Sequence, residues 1–342
     1  MMITLENPLD MHAHLREGEL LKAVVGESAR QFSGILAMPN LKTPISTTDL
    51  ALKYKSEIVD SAKNTSFMPI MSLYLTQDLN KSELLKAKKE GIKILKLYPK
   101  GATTGSENGI SEILDKKTLE IFEIAQDLEL VLSIHGESNG FCMEREYEFG
   151  EIFAEIARNF PKLTIIMEHL SDRRSIDILE KYPNLFATLT LHHISLDLDS
   201  VIGGALNPHY FCKPILKTKK DKEALLNLAL NAHKKVSFGS DSAPHLESAK
   251  MSGAAGIFSA PILLPMLCEI FEKHNALENL QDFISSNAMG IYKLNLPKSA
   301  QKSVVLAKGE NVLKSEIRLQ NDAIKILFGG EKISWKIKEV LQ

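Results

Sequence analysis

Eight short apolar, β-rich runs alternate with amphipathic helical patterns along most of the 342-residue chain, and this alternation restricts its fold more than any other feature. The runs are Leu9–Leu15, Gly34–Asn40, Phe67–Leu75, Ile92–Tyr98, Leu130–His135, Thr164–His169, Leu185–His192 and Lys235–Asp241. Several are near-continuously apolar rather than alternating, which suits parallel strands buried on both faces. Between them, Thr48-Asp49-Leu50 opens a helix with a capping signal, and KTLEIFEIAQDLE and KEALLNLALNAHK repeat apolar residues every three or four positions. Eight β-then-α units favour an α/β fold of the (β/α)8 TIM-barrel type. An open doubly wound sheet is the alternative, but its G-x-G-x-x-G turn is missing after the first run.

After about residue 275 the pattern changes. LENLQDFISSNAMGIYKL reads as an extra helix, and SVVLAK, AIKILF and KISWKIKEV read as a small β-rich C-terminal extension. The expected division is a barrel with its extra helix over 1–300 and an appendage over 301–342. The chain is 44% hydrophobic, too apolar for a disordered protein. A formal net charge of −2 gives no basic field to attract nucleic acid or anionic lipid, so neither partner is expected. Cys142, Cys212 and Cys268 are odd in number and scattered, which argues against a disulfide framework and for a reducing compartment. Glu6 and Pro8 interrupt the N-terminus before a secretory apolar run could form. The longest uncharged stretch, Met251–Cys268, is broken by Pro261 and Pro265 and reads as a buried helix rather than a bilayer span. A cytoplasmic location is the expectation.

Barrels of this kind build their sites at the C-terminal ends of the strands, so polar residues there carry the chemistry. The first run ends in Met11-His12-Ala13-His14, and residues two apart on a strand share a face, so both imidazoles can converge. Lys96 lies inside the apolar fourth run. Burying an ammonium is costly, and a lone lysine there ordinarily snorkels to a strand end. A buried lysine can instead lose its proton, and its amine can then add CO2 to give a carbamate whose two oxygens bridge two cations. Only partner ligands would justify that reading, and they follow: His135 in SIHGE, His169 in MEHL and Asp241 in GSDSAPH. Each alone is more often structural. The ordered set at successive strand ends is hard to obtain by chance, and its donors suit zinc and neighbouring transition metals.

In MHAHLR, MPN, KLYP, IHGE, MEHL and GSDSAPH, over about residues 9 to 257, the chain resembles the dihydroorotases of the shorter bacterial type, in the amidohydrolase superfamily. The resemblance implies that His12, His14 and Asp241 hold one zinc ion and that His135 and His169 hold a second. Lys96, carried as N6-carboxylysine through a CO2-derived carbamate, bridges them. It implies reversible interconversion of N-carbamoyl-L-aspartate and L-dihydroorotate in de novo pyrimidine biosynthesis, with Asp241 taking the proton of the attacking hydroxide and passing it to the departing nitrogen. Arg16, Asn40 and His245 are the implied partners of the substrate carboxylate, and His14 and His135 face the substrate as well as the metals. Thr103 and Thr104, in the Gly101–Gly105 loop, are the implied lid contacts. Main-chain atoms at Lys213 and Ala255 are the implied readers of the ring, and a homodimer is the implied assembly. His192 and His193 are taken as structural, and His209, His233 and His274 as uninvolved. A hydantoinase, dihydropyrimidinase or phosphotriesterase would use the same metal set, but Arg16, Asn40 and His245 favour a carboxylate-bearing substrate. A non-catalytic barrel scaffold would be expected to have lost ligands, and all six positions are filled.

Overall fold

The computed structural model describes residues 1–63 and 65–342. Strand β1 (Met2–Glu6) precedes the barrel strands β2 (Leu9–Ala13), β3 (Gly34–Ala37), β4 (Met68–Tyr74), β5 (Ile94–Leu97), β6 (Val131–Ile134), β7 (Thr164–Met167), β8 (Leu185–Leu189) and β9 (Val236–Phe238). These eight are parallel and neighbour one another in chain order. The ring closes where Ala13 bridges Ser242, with the Asp241 N–H donating to the His12 carbonyl at 2.7 Å and the His14 N–H to the Ser242 carbonyl at 3.0 Å. The (β/α)8 barrel is therefore the observed fold. Each strand stops one to three residues short of the apolar run that announced it. His12 and Lys96 are the next-to-last residues of β2 and β5, while His14, His135, Glu168, His169 and Asp241 lie just past the ends of their strands.

The intervening helices are α1 (Gly18–Ala29), α2 (Thr48–Ser61), α3 (Lys81–Lys89), α4 (Lys116–Asp127), α5 (Arg145–Asn159), α6 (Ser175–Lys181), α7 (Leu191–Ser195), α8 (Asp199–Ile202), α9 (Lys219–Leu230), α10 (Glu247–Met251), α11 (Leu263–Lys273) and α12 (Asn287–Ile291). Thr47, Asn80, Asp115 and Thr218 cap α2, α3, α4 and α9 by accepting a backbone N–H from the third helical residue, satisfying donors that the helix itself leaves free. Two elements depart from the sequence reading. His192 and His193 do not end a strand: Thr190 caps the short helix α7, which carries both. In 251–268 Met251 ends α10 and α-helix resumes only at Leu263, because the residues between run as loop and a 3-10 turn around Pro261.

Inside the barrel, Leu9, Met11, Leu36, Met38, Ile94, Val131 and Ile166 form an apolar plug with Ala288, Ile291, Tyr292 and Leu296 from the segment after β9. A second, larger core lies between the strands and the helices. The tail forms β10 (Ser303–Val312), β11 (Glu316–Leu319), β12 (Asp322–Lys325) and β13 (Lys332–Leu341). Strand β10 pairs antiparallel with both β1 and β13, so the appended sheet draws on both ends of the chain. Among the described residues, no helix is long and apolar enough to cross a membrane.

Candidate metal centre

Strand alternation lifts the interior from apolar to polar in one step. Two residues beyond Ile94, Val131 and Ile166 of the plug stand Lys96, Ser133 and Glu168, and all three are fully buried or nearly so. Glu168 is the hub of this layer. One of its oxygens accepts from His12 Nδ1 at 2.7 Å and from the Thr188 hydroxyl, and the other accepts from the Ser133 hydroxyl. Burial alone would raise this carboxyl, but the neighbouring His12 and Lys96 and its hydrogen bonds hold it down, to about 2. With Nδ1–H committed to Glu168, the His12 Nε2 lone pair points away from the carboxylate and is free to ligate.

Asp241 Oδ1 lies 2.9 Å from His14 Nε2 and 3.4 Å from His12 Nε2, and one donor atom from each of the three falls within 4.8 Å of the others. Burial pushes the Asp241 carboxyl up, yet the His14 hydrogen bond and the surrounding imidazoles outweigh it and keep the group well below the usual carboxylate range. On the other side of the ring, His135 Nε2 donates to Glu137 at 2.7 Å, which turns its Nδ1 lone pair toward His169 Nε2, 3.1 Å away. Burial lowers the pKa of both imidazoles, so they stand neutral, and His169 Nδ1 has no partner among the described residues. Lys96 Nζ is also buried and without a partner among the described residues, and burial lowers its pKa to about 8 against the opposing pull of Glu168 and Asp241.

These residues fit a pair of divalent cations. Two sets of neutral or anionic donors converge, the second ring nitrogens of His12 and His135 are tied to carboxylates, and an unpaired amine sits among them. The backbone is bent to achieve this. Arg16, His169 and Asp241 have φ of +62°, +43° and +46°, left-handed conformations that cost a non-glycine residue about 1–2 kcal/mol. The Thr188 hydroxyl accepts the His169 N–H at 2.7 Å, so the strain is held by a specific bond.

A narrow cavity opens above the centre. It is lined by His12, His14, Arg16, Asn40, Tyr98, Thr103, Thr104, His135, His169, Lys213, Asp241 and Ala255, together with Ala243 and Gly256. Lys96 and His245 do not line it. Lys96 sits in the barrel wall, and His245 stands beside Arg16, whose Nη2 donates to His245 Nε2 at 2.9 Å while its Nε donates to the Pro244 carbonyl at 3.1 Å. Burial and the adjacent guanidinium depress the His245 pKa to about 3, so this ring is a neutral acceptor that aims the arginine. Asn40 Nδ2 donates to the Thr104 carbonyl at 3.0 Å, which ties the Gly101–Gly105 loop down over the mouth. Sequence reasoning assigned no role to Tyr98, Glu137 or Glu168, although KLYP, IHGE and MEHL contain them; strand alternation after Lys96 and before His169 is the signal that would have placed Tyr98 and Glu168 inward.

No family model matches the chain. It is 61% identical over 339 residues to a dihydroorotase of Helicobacter hepaticus, covering 98% of each protein. The crystal structure of Campylobacter jejuni dihydroorotase superposes with a TM-score of 0.94 at 40% identity, over 99% of this chain and 98% of that one. Dihydroorotase of Saccharomyces cerevisiae in complex with 5-fluoroorotic acid superposes with a TM-score of 0.92 at 32% identity, over 98% of both chains. Identity of this extent, over both full lengths and on the same barrel, leaves one conclusion: the chain belongs to the dihydroorotase family, enzymes of the amidohydrolase superfamily that act on cyclic amides.

Proposed function

We propose that this enzyme interconverts N-carbamoyl-L-aspartate and L-dihydroorotate at a centre of two zinc ions bridged by N6-carboxylated Lys96. The observation that carries the reading is the Lys96 amine. It is buried without a hydrogen-bond partner, it feels the charges of Glu168 and Asp241, and its own charge acts on His135 and His169. Addition of CO2 to the neutral amine forms the N–C bond of a carbamate and releases one proton. The buried amine becomes an anion matched to cations, which removes the unpaired group. His12, His14 and Asp241 would hold one ion and His135 and His169 the other. When bound, such ions supply Lewis acidity, polarising a carbonyl and making water acidic enough to ionise near neutral pH.

The remaining chemistry belongs to side chains. In ring opening, Asp241 accepts the proton of the attacking water and delivers it to the departing ring nitrogen; in ring closure the same transfers run backwards. Its depressed pKa keeps it ionised and able to accept. Arg16, aimed by His245, and Asn40 bind the substrate carboxylate, and an arginine fork suits a planar anion. Thr103 and Thr104 close over the bound ring and exclude water, while main-chain atoms at Lys213 and Ala255 read its edge. The 5-fluoroorotic acid complex of the yeast relative supports an acid-bearing ring as ligand. Residues 1–300 would then be the catalytic unit with 301–342 as its appendage, and a homodimer, measurable by sedimentation, is the proposed assembly.

The test is direct. Purified enzyme should hold two zinc equivalents per chain and, after incubation with 13C-bicarbonate, show a carbamate carbon resonance that Lys96→Met abolishes. Dihydroorotate turnover should far exceed that of hydantoin or dihydrouracil. An unlabelled Lys96 in active, metal-loaded enzyme would falsify the bridge, and equal activity on hydantoin would reject the substrate.

A further inference from the structure

A second cluster of ligating side chains lies outside the centre described above. Thr190 accepts the His193 N–H at 3.0 Å and so starts helix α7, which places His192 and His193 against Cys212. The three side chains are 0%, 3% and 1% exposed, and one ligating atom from each lies within 4.8 Å of the other two. His193 Nδ1 meets the Thr190 hydroxyl at 2.9 Å, and His193 Nε2 and the Cys212 thiol both donate to the Pro214 carbonyl, at 3.0 and 3.2 Å. His192 is different: it is fully buried and neither of its ring nitrogens has a partner among the described residues. An imidazole stripped of water with both nitrogens unpaired is costly, and a ligand on one of them would relieve it.

We propose that His192, His193 and Cys212 form a third cation site, selective for a thiophilic transition-metal ion of the Zn2+ class. Two imidazoles and a thiolate are a donor set for borderline and soft cations, not for Mg2+ or Ca2+. Burial holds Cys212 in the thiol form and the two rings neutral. Binding therefore breaks the S–H bond, forms an S–metal bond and releases one proton, and His193 exchanges one of its two hydrogen bonds for the ion. The thiolate cancels one charge of a divalent ion. The Asp241 and Glu137 carboxylates act on His193 in the sense that favours the remaining positive charge, and Lys217 and Lys250 oppose it. Cys212 is the neighbour of Lys213, which lines the substrate cavity, so an ion held here grips the segment that forms one cavity wall. The inference does not rest on the two-zinc reading, because no sulfur belongs to that donor set.

The full-length protein, already loaded with two zinc equivalents and titrated with Co2+, tests it. A thiolate-to-cobalt charge-transfer band should grow in the near ultraviolet and saturate at one ion per chain. It should vanish in Cys212→Ser, persist in Cys142→Ser and Cys268→Ser, and require about tenfold or more higher Co2+ in His192→Gln. Circular dichroism of each variant establishes that it folds, and X-ray absorption of the wild-type protein gives an independent reading, a sulfur neighbour at cobalt. Absence of the band and of the sulfur neighbour in wild type overturns the proposal, as does a band that survives Cys212→Ser or is unmoved by His192→Gln. The trio is then only a hydrogen-bonded strut for the Lys213 segment.

Discussion

In the proposed reaction Asp241 would both ligate and move a proton, and its left-handed backbone turns the carboxylate toward His12 and His14. Asp241→Asn should keep the fold, by circular dichroism, and lower kcat by about 10²–10⁴-fold, the usual weight of a general base. Lys96→Met separates function from stability. It replaces an unpaired buried amine by an apolar side chain, so metal-free protein should melt no lower than wild type while turnover is lost; Lys96→Ala, which leaves room at the bridge, should be restored in part by added acetate. Arg16→Met removes a charged hydrogen-bonding fork worth roughly 1.5–3 kcal/mol, so KM should rise by roughly 10- to 100-fold with a smaller change in kcat. The donors themselves were legible in the sequence because strand alternation and position at a strand end are local properties. Their orientation was not. That Glu168 serves His12 depends on barrel closure, which brings the non-neighbouring strands β7 and β2 to face each other across the interior, and no glycine marks the positive φ at His169 or Asp241.

At the scale of elements, the Gly101–Gly105 loop and the turn before α6 each hold two parts of the barrel together. Gly105 has φ of +72°, and a Cβ there would lie 3.1 Å from the Asn40 carbonyl oxygen. Gly105→Ala should therefore lift the loop from Asn40 and raise KM for dihydroorotate more than it lowers thermal stability. Arg174, at the start of α6, bonds both Asp172 and Glu144, the residue before α5. Burial would raise the Asp172 carboxyl, but the Arg174 side chain and N–H more than offset this and depress it below the usual 3.8. A carboxyl depressed in the folded state gives stability that is full above its unfolded pKa and is lost as pH falls through its folded one. Arg174→Met should thus be less stable than wild type at pH 7 in urea melts, and the gap should close as acid protonates the Asp172 carboxyl below the usual 3.8. The sequence announced all eight strands, since an apolar run that short has few other uses. It misplaced His192 because Leu185–His192 is apolar enough to read as one strand, while Thr190 ends it by capping a helix instead.

Across the whole molecule, the barrel is joined to a sheet built from residues 2–6, 303–312 and 332–341. The alternation of the tail was readable as β structure, but β1 was not, because five residues with one buried side chain give almost no periodic signal. Its pairing with β10 spans nearly the full chain length and only the tertiary fold could reveal it. The sheet rests on α11 through Trp335, which is fully buried and donates from Nε1 to Glu272 at 2.9 Å, with Lys308 reaching the same carboxylate and lying over the indole ring. Removing that indole leaves a cavity between sheet and helix and unpairs one bond to Glu272. Trp335→Ala should cost about 3–5 kcal/mol in denaturant melts. None of the cavity-lining residues belongs to the sheet or to α11, so the same variant, assayed below its melting temperature, should keep KM for dihydroorotate. If KM instead rises with the loss of the indole, the tail does more than brace the barrel, and its strands shape the site as well.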